Sequence, residues 1–217
     1  YTTLFRSVML QLPNCAEFVF VYYALQKIGA VPLVLVPRHN YHEISHLCKL
    51  IGARGWVLPW RYGKIQYEEL IEDVKKDNPQ LARIFIHGEG GSKETIPLET
   101  MVESVDAGTA EPVDLSKYKP DPLAVCTIIP TGGTTGFPKA VPRTHECYFN
   151  NAEYLAKAYE LNSLDTMLLM TPVGHNLAMV IGVVGCISSY TKIVLLDSAD
   201  PADFCAIVER ERVTATA

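Results

Sequence analysis

The sequence predicts an α/β fold built on a largely parallel sheet, and three observations carry that expectation. Short apolar runs suited to strands alternate with longer stretches of 3.6-residue apolar period, the order that a chain of βαβ units requires. Turn and capping residues separate the segments. Of the 217 residues, 48 % are apolar, ample for a sizeable buried core.

The elements follow in order. Residues 8–12 open with the apolar run Val8-Met9-Leu10 and are expected to form the first strand. Residues 14–28 follow as a helix, with Asn14 as N-cap, Glu17 three positions on and Gly29 as terminator. Further strands are expected at residues 31–36, 55–58, 82–86, 124–129, 167–170 and 193–196, each a short β-prone apolar run. Helices are expected at residues 41–51, 67–76, 98–105, 145–160 and 201–211. Between residues 88 and 121 the chain turns polar and rich in Pro and Gly, which marks a long surface connection. That stretch divides the chain into a first α/β lobe, residues 8–121, and a second lobe, residues 122–217.

Composition excludes several function classes. With 19 basic and 24 acidic residues, a net charge of −5 and no basic cluster, the chain lacks the electrostatic footprint of a nucleic-acid binder. Its longest apolar stretch, residues 178–187, has about ten residues, half the length that spans a bilayer. No signal peptide is visible. The six cysteines are widely spaced and form no C-x-x-C pair, so they read as buried thiols of a cytoplasmic protein, and no metal site is expected. Residues 1–7 match the translation of a sequencing adapter and are expected to be a non-native artefact. Residues 213–217 stop inside a β-prone run, as expected of a fragment.

One loop carries the chemistry. Thr131-Gly132-Gly133-Thr134-Thr135-Gly136-Phe137-Pro138-Lys139 follows an apolar run and precedes a helical pattern. Its glycines allow the backbone to approach a ligand, and its N–H groups and hydroxyls can converge on anionic oxygens. Lys139 adds a compact positive charge. The bland reading is a Gly-rich hairpin with a solvated lysine. A Walker loop is disfavoured, because Phe137 and Pro138 separate Gly136 from Lys139 and Ala140 follows.

Together with Ala140-Val141-Pro142-Arg143-Thr144-His145, the loop resembles the signature loop of adenylate-forming enzymes. The Pro142 to His145 continuation is most similar to the aryl-acid-activating branch, which includes 2,3-dihydroxybenzoate and salicylate AMP ligases. Thr171-Pro172-Val173-Gly174-His175-Asn176 resembles that branch's acid-pocket motif. The segments Met9 to Asn14 and Lys27 to Pro32 resemble the family's first strand and helix, so the similarity runs from about Val8 to the last residue.

The resemblance implies the N-terminal domain of the adenylate-forming fold, with stacked, largely parallel sheets flanked by helices. It implies attack of an aromatic carboxylate on ATP, with Mg²⁺, to give an aryl-adenylate and pyrophosphate, then transfer to a carrier-protein thiol or coenzyme A. Thr131, Gly132, Gly133, Thr134, Thr135, Gly136 and Lys139 would hold phosphates. His175 would act at the adenylate, and His175, Asn176, Leu177, Val180 and Ile181 would border the acid. Leu177 stands where a tyrosine is common, and Val180 or Ile181 where a serine or cysteine often meets the ring substituent, so 2,3-dihydroxybenzoate is not assured. The family's later motifs and catalytic lysine are absent from these 217 residues, which alone are expected not to turn over.

Alternatives stay open at this point: an acyl-CoA synthetase for another acid, or a non-catalytic nucleotide-binding module. His175 could merely satisfy backbone groups at a strand end. His39-Asn40 repeats the His-Asn dipeptide in a polar turn. Arg143 and His145 could serve support or function equally. His42 and His46 share a helical face at metal-binding spacing but lack a third ligand. Lys75, Lys76 and Asp77 read as a solvated helix end, and Tyr22, Tyr23, Tyr148 and Tyr154 as packing residues.

Overall fold

The computed structural model describes residues 7–106, 108, 114–116, 119–132 and 136–217. In chain order the elements are β1 (Ser7–Leu10), α1 (Ala16–Lys27), β2 (Val31–Val34), α2 (Tyr41–Ile51), β3 (Gly55–Pro59), β4 (Arg61–Tyr62), β5 (Ile65–Gln66), α3 (Glu68–Asp77), β6 (Arg83–His87), β7 (Thr95–Pro97) and α4 (Leu98–Asp106). They continue with β8 (Val125–Thr131), β9 (Lys139–Thr144), α5 (His145–Ala158), β10 (Thr166–Leu169), a π-helical segment (Ala178–Gly185), α6 (Cys186–Ser188), β11 (Lys192–Leu195), α7 (Pro201–Glu211) and β12 (Ala215–Thr216).

Seven strands form one sheet in the order β7-β6-β3-β1-β2-β8-β9, parallel throughout except for the antiparallel β8–β9 pair. A second, parallel sheet has the order β11-β10-β12. Period-2 alternation explains why the central strands read as unbroken apolar runs: both faces are covered. Leu10, Val34 and Val57 point into one core cluster, while Met9, Leu33, Leu35, Trp56 and Leu58 point into the other. The first cluster packs against α1, α5, the π-helical segment and β10 through Phe18, Tyr148, Met179, Met167 and Leu169. The second packs against α2 and α3 through Ile44, Leu47, Ile71 and Val74. Two sheets therefore stack about one core, as the α/β expectation required.

Several elements depart from the sequence expectation. The strand β9 intervenes between the glycine-rich loop and α5, so the loop joins two antiparallel strands instead of leading straight into a helix. Pro142 hid this strand; it is tolerated because β9 is the edge of the sheet, where one N–H needs no ladder partner. The edge strand β7 ends in Pro97 for the same reason. Beyond residue 121, β8 and β9 join the seven-stranded sheet beside β2. Ser7, within the segment read as an artefact, pairs with Val31 in β1–β2.

Asn14 does not cap α1. Cys15 occupies that position without a side-chain cap bond, and Asn14 is buried instead. Its Nδ2 donates to the carbonyls of Leu169 (3.2 Å), Thr171 (3.2 Å) and Leu196 (3.1 Å), and its Oδ1 accepts from Val173 N–H at 2.8 Å. One amide thereby satisfies buried backbone groups where β10 and β11 end. Gln11, likewise buried, donates to the Val36 and Pro37 carbonyls and accepts from Trp56 Nε1 at 3.0 Å. Asn40 is the true capping asparagine. It opens α2 in a capping box, accepting from His42 N–H while Glu43 accepts from Asn40 N–H. No helix among the described residues is long and apolar enough to cross a membrane.

Replacing Asn14 by Ala removes the partner of the Thr171 and Leu196 carbonyls and of the Val173 N–H, while the Leu169 carbonyl keeps Leu196 N–H; each buried orphaned group costs about 1–3 kcal/mol. Asn14→Ala should lower the urea midpoint accordingly. A midpoint equal to the parent's would show that these bonds contribute nothing net.

Candidate functional site

The C-terminal ends of β2 and β8 open onto a cleft of about 990 Å³, the edge of a parallel sheet at which α/β proteins place ligands. Four chain segments meet there. Val36, His39, Asn40, His42 and Glu43 come from the β2–α2 turn and the start of α2. Ile129, Pro130, Thr131 and Gly132 come from the end of β8, and Gly136, Phe137, Pro138, Val141 and Arg143 from the returning loop and β9. Gly174, His175 and Asn176 close the fourth side. The loop and the distant His-Asn dipeptide, separate in sequence, are thus brought to one cleft.

The β8–β9 register sets the loop. Thr131 lies opposite Lys139, so the chain between them is a hairpin connection whose ends are pinned by the ladder. A strand, not a helix, follows it, so no helix dipole begins at the loop's end. Gly133, Thr134 and Thr135 lie outside the described residues. Lys139 is exposed at the first position of β9. Phe137 stacks on His46 of α2, with ring centroids 4.7 Å apart and planes 22° from parallel. That contact gives His46 a packing role and anchors the loop's C-terminal arm.

On the opposite side, Gly174 permits a close backbone approach. A Cβ at this position would run into the Leu35 carbonyl and the Val36 amide, so only glycine lets this turn lie against the end of β2. The turn is further held by the bond from His175 N–H to the Pro172 carbonyl, 2.8 Å, and by Asn14 on Val173. His175 and Asn176 are exposed at the cleft. The His175 Nδ1 accepts from Leu177 N–H at 3.3 Å, which leaves the ring proton on Nε2 in the neutral form. Asn176 Oδ1 accepts from Tyr148 OH at 3.4 Å.

Leu177 is also exposed. Val180 and Ile181 are not part of the cleft lining. Both lie in the first core cluster at 2 % and 1 % exposure, because the π-helical segment turns them towards the stacked sheets. The π-helical segment begins at Ala178, with Leu177 at its N-cap, just beyond His175 and Asn176.

Two residues gained importance from the structure. Arg143 lines the cleft with its guanidinium carbon 5.7 Å from the centre of the Tyr148 ring and with a buried Nε that has no hydrogen-bond partner. His39, set aside as a turn residue, lines the same cleft with a buried Nδ1 that has no partner. The available signal was its place at the C-terminal end of a parallel strand. Burial lowers the His39 pKa, partly offset by the Glu43 carboxylate, so the ring is neutral at pH 7. His145 instead borders a second cavity of about 520 Å³ with Tyr22, Tyr23 and Tyr148.

The model for AMP-binding enzymes matches residues 6–217. The chain belongs to the AMP-binding enzyme family. Within it, the chain is 33 % identical over 211 residues to a 2,3-dihydroxybenzoate-AMP ligase of Bacillus subtilis, covering 97 % of this chain and 37 % of that protein. It is 30 % identical to a salicyl-AMP ligase/salicyl-S-ArCP synthetase of Mycobacterium tuberculosis, covering 97 % and 36 %. The apo structure of Mycobacterium smegmatis MbtA superposes with a TM-score of 0.84 at 28 % identity, over 97 % of this chain and 38 % of that one. The fold is accordingly the N-terminal part of the adenylate-forming fold, and the chain spans little more than a third of the length of these relatives.

The depressed His39 pKa gives a pH prediction with a definite sign. Unfolding restores the ordinary affinity for a proton, so as pH falls below about 6.5 the unfolded state gains protons first and stability falls. His39→Gln removes this contribution. Between pH 7.5 and 5.5 the variant's urea midpoint should fall less than the parent's; equal falls would contradict the assignment.

Proposed function

We propose that the chain is part of an enzyme that activates an aromatic carboxylic acid with ATP, forming an aryl-adenylate and releasing pyrophosphate, for later transfer to a carrier-protein thiol or coenzyme A. The observation that carries this reading is the meeting of the Thr131–Lys139 hairpin with Gly174-His175-Asn176 in one cleft. Family membership and the printed activities of the 2,3-dihydroxybenzoate and salicylate ligases support it.

The reaction transfers the AMP moiety from pyrophosphate to a carboxylate oxygen. The protein's share is positioning and charge stabilisation, because displacement at phosphorus needs no covalent help from side chains. Backbone N–H groups from Gly132 to Gly136, with the Thr134 and Thr135 hydroxyls, hold the terminal phosphates. Lys139 at the start of β9 and Arg143 near its end supply positive charge. The unpartnered Arg143 Nε is a donor waiting for an acceptor within this cleft. His175, with its Nε2–H free to donate, sits beside the oxygen that becomes the anhydride, and Asn176 orients the acid.

Mg²⁺ would supply charge neutralisation of the phosphates. Glu43 is the one carboxylate among the cleft's described lining residues, and it is engaged in the α2 capping box. Such a lining suits an ion held mainly by phosphate oxygens and water, with no all-protein cage.

The test is carboxylate-dependent ATP–pyrophosphate exchange by the full protein across benzoic, salicylic, 2,3-dihydroxybenzoic and fatty acids. Aryl acids should support exchange, and a preference for fatty acids would overturn the proposal. In that assay His175→Ala should reduce kcat/KM by about 10²-fold, the scale of one lost transition-state donor. An unchanged value would remove His175 from the chemistry.

A further inference from the structure

A separate group of ligating side chains lies away from the cleft. Cys15 at the start of α1, Glu17 in its first turn and His87 at the end of β6 each offer one ligand atom, and the three atoms lie within 4.8 Å of one another. In the sheet, β6 is separated by β3 and β1 from the strands β2 and β8 that open onto the cleft. The grouping is a product of the parallel register: β1 leads into α1 just where β6 ends two strands away.

The surroundings of His87 point to a ligand. Its Nδ1 is 2.8 Å from Glu99 Oε1, and that same oxygen accepts from Gly88 N–H at 2.7 Å. Glu99 therefore fixes the ring and places the proton on Nδ1. In the neutral ring the other nitrogen, Nε2, is an acceptor, and it faces Glu17 Oε2 at 3.9 Å. A carboxylate acceptor is a poor neighbour for a lone pair, but a cation between the two satisfies both. A carboxylate behind a histidine is the arrangement by which metalloproteins orient imidazole ligands and raise their basicity.

Cys15 completes the donor set. It is half-buried next to Glu17, and burial raises its pKa to about 12, with Glu17 acting in the same direction. A dication reverses that balance, since a coordinating thiol loses its proton. Thiolate and carboxylate together then supply two negative charges against the ion's two positive ones. One sulfur, one imidazole nitrogen and one carboxylate oxygen suit zinc, which takes all three donor types in tetrahedral sites. Side-chain rotations drawing these atoms together by about 1 Å bring them to tetrahedral spacing, leaving a fourth position for water.

We propose that Cys15, Glu17 and His87 form a binding site for one zinc ion, with Glu99 as the positioning residue for His87. The ion ties the start of α1 to the end of β6 next to Asn14, and so stiffens the turn on which the second sheet hangs. No sequence pattern announces the site, because His87 lies 70 residues beyond Glu17 in the chain.

The test is to titrate the full chain with Zn²⁺ alone and, separately, with Co²⁺ as a spectroscopic substitute. One Zn²⁺ per chain should bind and raise the melting temperature. The Co²⁺ form should show thiolate-to-cobalt charge-transfer absorption in the near ultraviolet. Cys15→Ser, nearly isosteric, should abolish that absorption while leaving the metal-free melting temperature close to the parent's. Glu99→Gln should weaken Zn²⁺ binding about 10–100-fold. A His42→Ala/His46→Ala pair and a Cys147→Ser/Cys205→Ser pair should bind as the parent does. Absence of Zn²⁺ binding, absence of the thiolate absorption, or its persistence in Cys15→Ser would overturn the proposal.

Discussion

The arrangement of this protein depends on one buried amide. Asn14 leaves the end of β1 and reaches three carbonyls and one N–H of the second sheet's terminal turns. The Leu169 carbonyl also accepts from Leu196 N–H, but the Thr171 and Leu196 carbonyls and the Val173 N–H lie where ladder bonding stops and have Asn14 as their partner. A hydrophobic residue could fill the space but not donate. The amide therefore fixes the register between the two stacked sheets as well as their contact. It also holds Val173, from which the chain turns into Gly174, His175 and Asn176.

That single constraint explains how two remote motifs share a cleft. The first sheet presents the Thr131–Lys139 hairpin at its C-terminal edge, pinned by the pairing of Thr131 with Lys139. The second sheet presents His175 and Asn176, brought close by the absent side chain of Gly174 against Leu35. Between them the cleft carries Arg143 and, among its described lining residues, one engaged carboxylate, Glu43. The unpartnered Arg143 Nε and His39 Nδ1 mark where such a ligand would meet polar atoms that the protein itself leaves unsatisfied.

How much was legible in the sequence differs by element. The central strands and the helices α1, α2, α3, α5 and α7 were readable to within a few residues, because apolar period follows directly from which faces are covered. The edge strands β7 and β9 were not, since an edge tolerates the prolines that break the strand pattern. The two His-Asn dipeptides were separated by context, and the structure divides their roles further. Asn40 caps a helix, His39 faces the cleft and His175-Asn176 opens a π-helical segment. Val180 and Ile181 fell to the core because local periodicity cannot say which way an all-apolar segment turns.

Composition, periodicity and the loop's residues by themselves determined an α/β chain with a glycine- and threonine-rich loop, and disfavoured a Walker site. These are local properties: strand runs, turn chemistry and glycine content act within a few residues of one another. Only the tertiary structure decided which asparagine caps and which bridges, that the hairpin and His175 face one cleft, and that Cys15, Glu17 and His87 converge. Such decisions rest on the order and register of strands far apart in the chain, where pairing is chosen by burial and backbone satisfaction over the whole sheet.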